Sequence, residues 1–270
     1  MDIGINKVLN KDGCDIHYWI SKCGNCPWLI FLHGAGADHE MFFEQLAAVS
    51  HNYNILLWDA RGHGLSRPMG EHISMTLIVD DLAAIMNIEG IEKATLIGQS
   101  MGGNAAQEFA FYFPDRVEKL VLIDCTCNTM KLSTLETFYL KITPMLLRLY
   151  PWKYLVRESV KASAIKPDVQ AYLRRTFNRI GKIDFVNIFL ATASCLHYED
   201  GYRINKPILL VYGEKDGTGN IRKIASTWAS NEPHCTLVEI PQAGHCSNQD
   251  NPTAFNQALI SFLSDRSINV

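Results

Sequence analysis

Short, largely apolar runs alternate along the chain with longer segments whose apolar residues recur at helical spacing. The runs at 28–32, 54–58, 94–98, 119–123 and 207–212 are typical of strands buried on both faces of a parallel sheet. Helical spacing follows at 41–49, 74–88, 104–113, 221–229 and 252–263, and a further strand is predicted at 236–240. Two strand-like runs around Lys11-Asp12-Gly13 predict an N-terminal hairpin. Alternating strands and helices predict an α/β fold with a mostly parallel, doubly wound sheet.

The alternation stops after the sixth predicted strand. Residues 129–202 contain no clear strand, and amphipathic helices are predicted at 135–149, 152–164, 167–180 and 183–196. We therefore expect one core domain, formed by residues 1–128 and 203–270, with residues 129–202 as a helical insertion. Most apolar residues of the insertion are expected to form its own core, and those facing the sheet would roof the site.

Composition narrows the class of protein. The 270 residues are 47% hydrophobic and 20% charged, and the formal net charge of −3 gives no general attraction to nucleic acid or anionic membranes. No apolar run reaches the roughly 18 residues needed to span a bilayer, and residues 1–7 lack a secretory signal pattern. We expect a cytoplasmic protein, and free thiols rather than a metal site at Cys23 and Cys26.

A serine lies where the chain passes from a predicted strand into a predicted helix. Gly98 and Gly102 flank Ser100, and this G-x-S-x-G pattern is typical of a sharp turn that exposes a nucleophilic hydroxyl. His33, Asp59 and Asp124 also follow predicted strands. Carboxyl ends of parallel strands share one edge of the sheet, where ligands bind, so we expect a site there with Ser100 as its nucleophile.

An activated serine needs a base, and the base needs an acid that orients it. His245 follows the last predicted strand and is the best candidate base. Asp216 follows the preceding strand and is the preferred acid, with Asp124 as its rival, whereas Asp59 is expected to pair with Arg61 or nearby backbone. His33 and His63 are expected to hold loops together. Five other histidines are expected at exposed positions or in the insertion: His39, His51, His72, His197 and His234.

An acyl-transfer site also needs two N–H groups that stabilise a developing oxyanion. Met101 follows the nucleophile and supplies one backbone N–H at a helix start. Ala35 lies in the glycine-rich turn after residues 28–32 and supplies the second. Nothing in these motifs requires a cofactor or a metal, so neither is expected.

These motifs together resemble the α/β-hydrolase superfamily over almost the whole chain. The matching residues are His33-Gly34, Asp59-x-Arg61-Gly62-x-Gly64-x-Ser66, Gly98-x-Ser100-x-Gly102, Gly213-x-x-Asp216 and Gly244-His245. The resemblance implies a Ser-His-Asp serine hydrolase whose insertion is a cap domain, in a branch with small esterases, lactonases and C–C-bond hydrolases. Serine as the nucleophile argues against the haloalkane dehalogenase and epoxide hydrolase members, which use aspartate.

The implied reaction is two-step acyl transfer through an acyl-enzyme. The expected substrate is a small to medium, largely apolar carboxylic ester, thioester or lactone. C–C-bond hydrolysis of a 1,3-dicarbonyl compound and acyl transfer to another acceptor use the same residues and stay open, as does a slow-turnover ligand sensor. The expected partner is this small molecule, and neither nucleic acid nor a membrane is expected as a partner. The protein is expected to be a monomer or a homodimer.

Overall fold

The sheet begins with an antiparallel hairpin at one edge. In the computed structural model, which describes residues 3–265, β1 (Ile5–Lys11) pairs antiparallel with β2 (Cys14–Ser21). The turn between them contains Asp12 and Gly13 with φ of 50° and 71°. β2 then pairs antiparallel with β4 (Asn54–Trp58) and so joins the hairpin to the main sheet.

All other strand pairs of the sheet are parallel. The remaining strands are β3 (Trp28–Leu32), β5 (Ala94–Gln99), β6 (Val117–Ile123), β7 (Ile208–Gly213) and β8 (Cys235–Ile240). Within the described residues the order is β1-β2-β4-β3-β5-β6-β7-β8. Nearly every residue of β3 to β6 is buried, as continuously apolar strands require when helices cover both faces. The predicted α/β class and mostly parallel sheet are confirmed.

Helices connect the strands, and three of them, α2, α4 and α10, begin at a side-chain cap. In chain order they are α1 (Phe43–Val49), α2 (Met75–Ile88), α3 (Met101–Tyr112), α4 (Thr134–Leu149), α5 (Trp152–Ser163), α6 (Pro167–Ile180), α7 (Lys182–Ala193), α8 (Ile221–Asn231), α9 (Ser247–Asp250) and α10 (Pro252–Ser264). Ser74 caps α2 by accepting the N–H of Leu77 at 3.2 Å. Ser133 and Glu136 form a reciprocal capping box at the start of α4. A 3₁₀ turn, His39–Phe42, precedes α1, and the short α9 was not predicted.

Four helices, α4 to α7, follow one another between β6 and β7. Hydrogen bonds tie them to loops at the carboxyl edge of the sheet. The Asp250 carboxylate accepts the N–H groups of Ile165 and Lys166, which lie between α5 and α6. Just outside the four helices, the N–H of His197 donates to the Asn128 carbonyl at 2.9 Å. We call residues 134–193 the inserted helices. They occupy the segment in which the sequence predicts an insertion, and they lie over the edge where the predicted site residues emerge.

The loop after β4 agrees only in part with the sequence interpretation. Asp59 accepts hydrogen bonds from His39 Nδ1 and the Leu65 N–H, both at 2.8 Å, so the expected contact with nearby backbone is confirmed at Leu65, whereas Arg61 is not a partner. Arg61 instead makes two hydrogen bonds of 2.9 Å to the carboxylate of Asp81 on α2. The prediction of an exposed position for His39 is wrong, because Trp19 stacks on its ring and Asp59 binds it. Sequence proximity favoured Arg61, but the fold brings more distant partners closer.

Two further expectations concern cysteines and the N-terminus. Cys23 and Cys26 form a disulfide, so the expectation of free thiols is wrong for this pair. The turn brings their Cα atoms to 5.9 Å, which is within bridging reach. Among the described residues, every helix is too short or too polar to cross a membrane. Met1 and Asp2, which belong to the segment 1–7 in which no secretory signal pattern was found, lie outside the described residues.

Candidate active site

Ser100 occupies a strained turn between β5 and α3. Its φ and ψ are 50° and −115°, a conformation that L residues rarely adopt. A Cβ on Gly98 would lie 2.2 Å from the carbonyl oxygen of Gly102, and a Cβ on Gly102 would lie 1.9 Å from that of Leu32. Only glycine therefore fits at either position, and this close packing holds the serine hydroxyl above the sheet edge.

His245 and Asp216 meet Ser100 across loops that are distant in sequence. His245 Nε2 lies 2.9 Å from Ser100 Oγ, and His245 Nδ1 lies 3.0 Å from Asp216 Oδ2. The other carboxylate oxygen of Asp216 accepts the N–H of Thr218 at 2.8 Å, which fixes its orientation. The Gln99 side chain donates to the carbonyl of His245 at 2.7 Å. An imidazole held in this way can accept a proton from the serine hydroxyl.

Asp124, the rival acid, has a different set of partners. Its carboxylate accepts the N–H groups of Gly213 at 2.8 Å and Ser247 at 2.9 Å, and so joins the loops that follow β7 and β8. Burial raises the pKa of Asp124 to about 7, and the charge of Asp216 adds to the effect. The structure brings Asp216, not Asp124, into hydrogen-bond contact with His245.

Opposing effects act on the imidazole of His245. Burial lowers its pKa, but the hydrogen bond and the negative charge of Asp216, with a smaller contribution from Asp124, outweigh burial and raise it above the ordinary 6.5. His33 and His63, at the same edge, are buried, and burial lowers the pKa of each, that of His63 to about 3. The lowered pKa favours the neutral imidazole at both positions.

The turn that carries Ala35 packs directly against the residue before the nucleophile. A Cβ on Gly34 would lie 2.0 Å from the Gln99 side-chain oxygen. His33 holds this turn through a 2.9 Å hydrogen bond to the Gly34 carbonyl, and its other ring nitrogen bonds the Ala60 N–H at 3.0 Å. Within residues 3–265, the backbone N–H groups of Ala35 and Met101 have no hydrogen-bond partner. Both are therefore free to donate to a substrate oxygen.

A cavity of about 210 Å³ opens above Ser100, His245 and Ala35. Its walls come mainly from apolar side chains of the inserted helices: Leu147, Leu173, Phe177, Phe185 and Phe189. No lysine, arginine, aspartate or glutamate is among the described residues that line it. In the part of the chain that the structure describes, no group of three or more histidines, cysteines and carboxylates is arranged to hold a metal ion.

Two positioning contacts were missed by the sequence interpretation. The Tyr172 hydroxyl on α6 donates to Asp38 Oδ1 at 2.9 Å and accepts the Asp38 N–H at 3.1 Å, which fastens the turn that carries Ala35 to the inserted helices. Asp250 accepts the N–H of Gly244 at 2.9 Å and so fixes the loop of His245. Asp38 directly follows the glycine-rich turn, but its tyrosine partner is 134 positions away.

Comparisons with known proteins agree with this architecture. The chain is 24% identical to 3-oxoadipate enol-lactonase 1 of Acinetobacter baylyi, over 95% of this chain and 96% of that protein. It is 28% identical to the 2-hydroxy-6-oxononadienedioate/2-hydroxy-6-oxononatrienedioate hydrolase of Burkholderia vietnamiensis, over 96% and 94%. A thermophilic esterase from Thermogutta terrifontis, 22% identical, superimposes with a TM-score of 0.82 over 99% of this chain and all of that one, which supports the fold.

A family model provides the broadest match. The model described as the alpha/beta hydrolase family matches residues 29–258, from the second residue of β3 into α10. The match therefore includes the turn of Ala35, the Ser100 elbow, all the inserted helices and the loops of Asp216 and His245. With the fold, the glycine-packed elbow and the relatives in agreement, the chain belongs to the alpha/beta hydrolase family and is a hydrolase.

Proposed function

We propose that the chain hydrolyses small, uncharged carboxylic esters through an acyl-enzyme on Ser100. The observation that carries this proposal is the continuous contact from Ser100 Oγ through His245 to Asp216, at 2.9 Å and 3.0 Å, on the floor of a cavity. Residues 134–193 act as a cap in this proposal, since their side chains supply most of the apolar cavity wall.

The reaction begins when His245 Nε2 takes the proton of Ser100 as Oγ attacks the ester carbonyl carbon. The carbonyl electrons move to the oxygen, and the N–H groups of Ala35 and Met101 stabilise that oxyanion. When the C–O bond to the leaving group breaks, His245 returns the proton to the departing alkoxide oxygen. A water molecule, deprotonated by the same imidazole, then attacks the acyl-enzyme and releases the acid.

The cavity supports an uncharged acyl group. An isolated carboxylate in an apolar cavity needs a cationic or strong hydrogen-bonding partner. No lysine or arginine is among the described residues that line the walls, and the polar lining besides Ser100 and His245 consists of neutral side chains: Gln99, Ser159, Ser163, Thr192 and Thr218. Two relatives are named for an oxoadipate lactone and a dienedioate, names that denote carboxylate-bearing compounds. We therefore propose a neutral substrate, unlike those. A volume near 210 Å³ also favours a short acyl chain.

Hydrolysis of a graded series of p-nitrophenyl acyl esters by the wild-type protein and Ser100→Ala tests this function. We expect turnover that favours short acyl chains and is lost in the variant. A fluorophosphonate should add one covalent label to the wild-type protein and none to Ser100→Ala, as measured by intact mass. Absence of both turnover and label would refute an activated serine.

Other substrates and acceptors distinguish the alternative functions of this site. Cleavage of a 1,3-dicarbonyl compound without ester hydrolysis would indicate a C–C-bond hydrolase. Ester or amide products formed from added alcohols or amines would indicate acyl transfer. A single turnover followed by a stable acyl-enzyme would indicate a ligand sensor. Preference for acyl groups that bear a carboxylate would contradict the neutral substrate.

A further inference from the structure

Helix α4 differs from the other helices in the burial of its side chains. None of its described side chains is buried, whereas every other helix that the structure describes has buried residues. The side that faces the molecule is marked by Glu136, which accepts a hydrogen bond from the Asn220 amide at 2.7 Å, and by Leu147, which lines the cavity above Ser100. These two positions are three turns apart and share one side of the helix.

An apolar stripe runs along a different side of α4. Its members recur at three- and four-residue spacing and so lie on one face, centred about 130° around the helix from Glu136 and Leu147. The exposed members are Leu135, Phe138, Tyr139, Met145, Leu146 and Leu149. Their exposed fractions range from 38% for Leu146 to 72% for Leu149. A stripe of this kind normally packs on a core, but here it faces solvent.

The exposed apolar surface continues beyond the end of α4. The rings of Tyr150 and Tyr154 stack with centroids 5.4 Å apart across the junction of α4 and α5, and both are exposed. Lys182 donates to the Arg148 carbonyl at 2.6 Å, which places the exposed Ile183 beside the end of α4. We call the stripe, Tyr150, Tyr154 and Ile183 the exposed apolar face. Eleven of the eighteen exposed large hydrophobic side chains in the described residues lie on the inserted helices, and such a concentration marks an interaction surface.

Positive charge accompanies this face. The inserted helices contain ten lysines and arginines against four aspartates and glutamates, a net charge of +6 in a chain whose total is −3, so the remaining residues carry −9. Lys141 and Arg148 are three or four residues from members of the stripe and border it, and Lys153 lies between the two stacked tyrosines in sequence. Among the described residues these three cations form no ion pair, whereas Arg157 pairs with Glu158 at 2.6 Å. The total of −3, on which the expectation of no membrane partner rests, averages over this asymmetry.

We propose that the exposed apolar face, together with Lys141, Arg148 and Lys153, binds the surface of an anionic lipid bilayer without crossing it. The apolar side chains enter the boundary between headgroups and acyl chains, and the cations pair with anionic headgroups. The charge favours this partner over a second copy of the chain, because a two-fold dimer through this face would set two basic surfaces against each other. This binding is separate from the reaction at Ser100.

Co-sedimentation with vesicles tests the role of charge. The vesicles are phosphatidylcholine alone and phosphatidylcholine mixed with phosphatidylglycerol. The wild-type protein should bind the mixed vesicles more tightly, and added salt should weaken this binding. Lys141→Gln with Lys153→Gln should weaken it at least about tenfold, because each cation near an anionic surface contributes about fivefold. The matched control, Lys22→Gln with Lys93→Gln, should leave it unchanged. Both control lysines are exposed at the opposite edge of the sheet, where Lys22 follows β2 and Lys93 precedes β5.

A second pair of variants tests the apolar contact. Phe138→Ser with Leu149→Ser removes two side chains that are 55% and 72% exposed, and Tyr112→Ser with Ile5→Ser removes two that are 55% and 70% exposed at the opposite edge of the sheet. Phe138 and Tyr112 each contact one neighbouring ring, so the two double variants are matched in that respect as well. We expect the first to weaken binding to the mixed vesicles at least about tenfold, through loss of buried apolar area, and the second to leave it unchanged.

Several outcomes would overturn the lipid-binding face. They are absence of wild-type binding to the mixed vesicles, equal binding to both kinds of vesicle, and equal losses in the variants and their controls. A wild-type dimer that Phe138→Ser with Leu149→Ser converts to a monomer, without vesicle binding, would assign the face to a second copy instead. Circular dichroism and thermal unfolding verify that each variant is folded. Vesicle binding requires no turnover, so failure of this proposal and failure of the proposed hydrolysis are observed separately.

Discussion

The acid that orients His245 can be identified by one pair of substitutions, Asp216→Asn and Asp124→Asn. In Asp216→Asn, the side-chain oxygen still accepts the N–H of Thr218, so the amide NH₂ faces His245 Nδ1. Nδ1 must then be the unprotonated acceptor, and the ring proton moves to Nε2, opposite Ser100 Oγ. In that tautomer the imidazole cannot take the serine proton.

The expected loss for Asp216→Asn is large. Removing the tautomer control of an aspartate in such a relay costs about 10⁴-fold in kcat, equivalent to about 5.4 kcal/mol of transition-state stabilisation. Loss of the negative charge should also lower the pKa of His245, since Asp216 is what raises it against burial. The acidic limb of the residual pH profile should therefore move to lower pH.

Asp124→Asn should have a different effect. Its two carboxylate oxygens accept two N–H groups, and an amide has only one acceptor oxygen, so one buried N–H loses its partner. We expect a loss of about 1–3 kcal/mol in the free energy of unfolding, with a much smaller loss of kcat than in Asp216→Asn. The assays are kcat on a short-chain p-nitrophenyl ester and urea unfolding. A folded Asp124→Asn protein as inactive as Asp216→Asn, or an active Asp216→Asn protein, would refute this reasoning.

Three other perturbations follow from the same contacts. Ester hydrolysis should fall as pH decreases through the raised pKa of His245, because the protonated ring cannot act as a base, and a kcat/KM midpoint below 6.5 would contradict this. Tyr172→Phe leaves the Asp38 N–H without its buried partner and should lower the free energy of unfolding by about 1–3 kcal/mol. We also expect kcat to fall more than KM changes, and an unchanged kcat would argue against coupling between Tyr172 and the Ala35 turn. Arg61→Ala leaves the buried Asp81 carboxylate without its bidentate partner and should cost about 3–5 kcal/mol in urea unfolding, whereas a loss below 1 kcal/mol would show that Lys11 compensates.

Local patterns determined the architecture of this protein. Continuously apolar runs require burial on both faces, which specified the central strands before any contact was known. The Ser100 elbow was also predictable, because the glycines on either side of it indicate that strand and helix approach too closely to leave room for a Cβ. The alternation of strands and helices stops after β6, and this indicated the inserted helices. Apolar residues there recur at helical rather than strand spacing, and the two spacings place apolar side chains on different faces.

Contacts between distant residues were decided by the tertiary structure alone. Ser100 and His245 are 145 positions apart, and both Asp124 and Asp216 follow strands at the correct edge, so spacing could not say which carboxylate would contact the imidazole. Three further features depend on how loops and inserted helices pack over the sheet: the contact between Asp59 and His39, the tyrosine that holds Asp38, and the volume of the cavity above Ser100. Periodicity specifies which face of an element is buried, whereas the partner on that face depends on three-dimensional packing, which one-dimensional spacing does not contain.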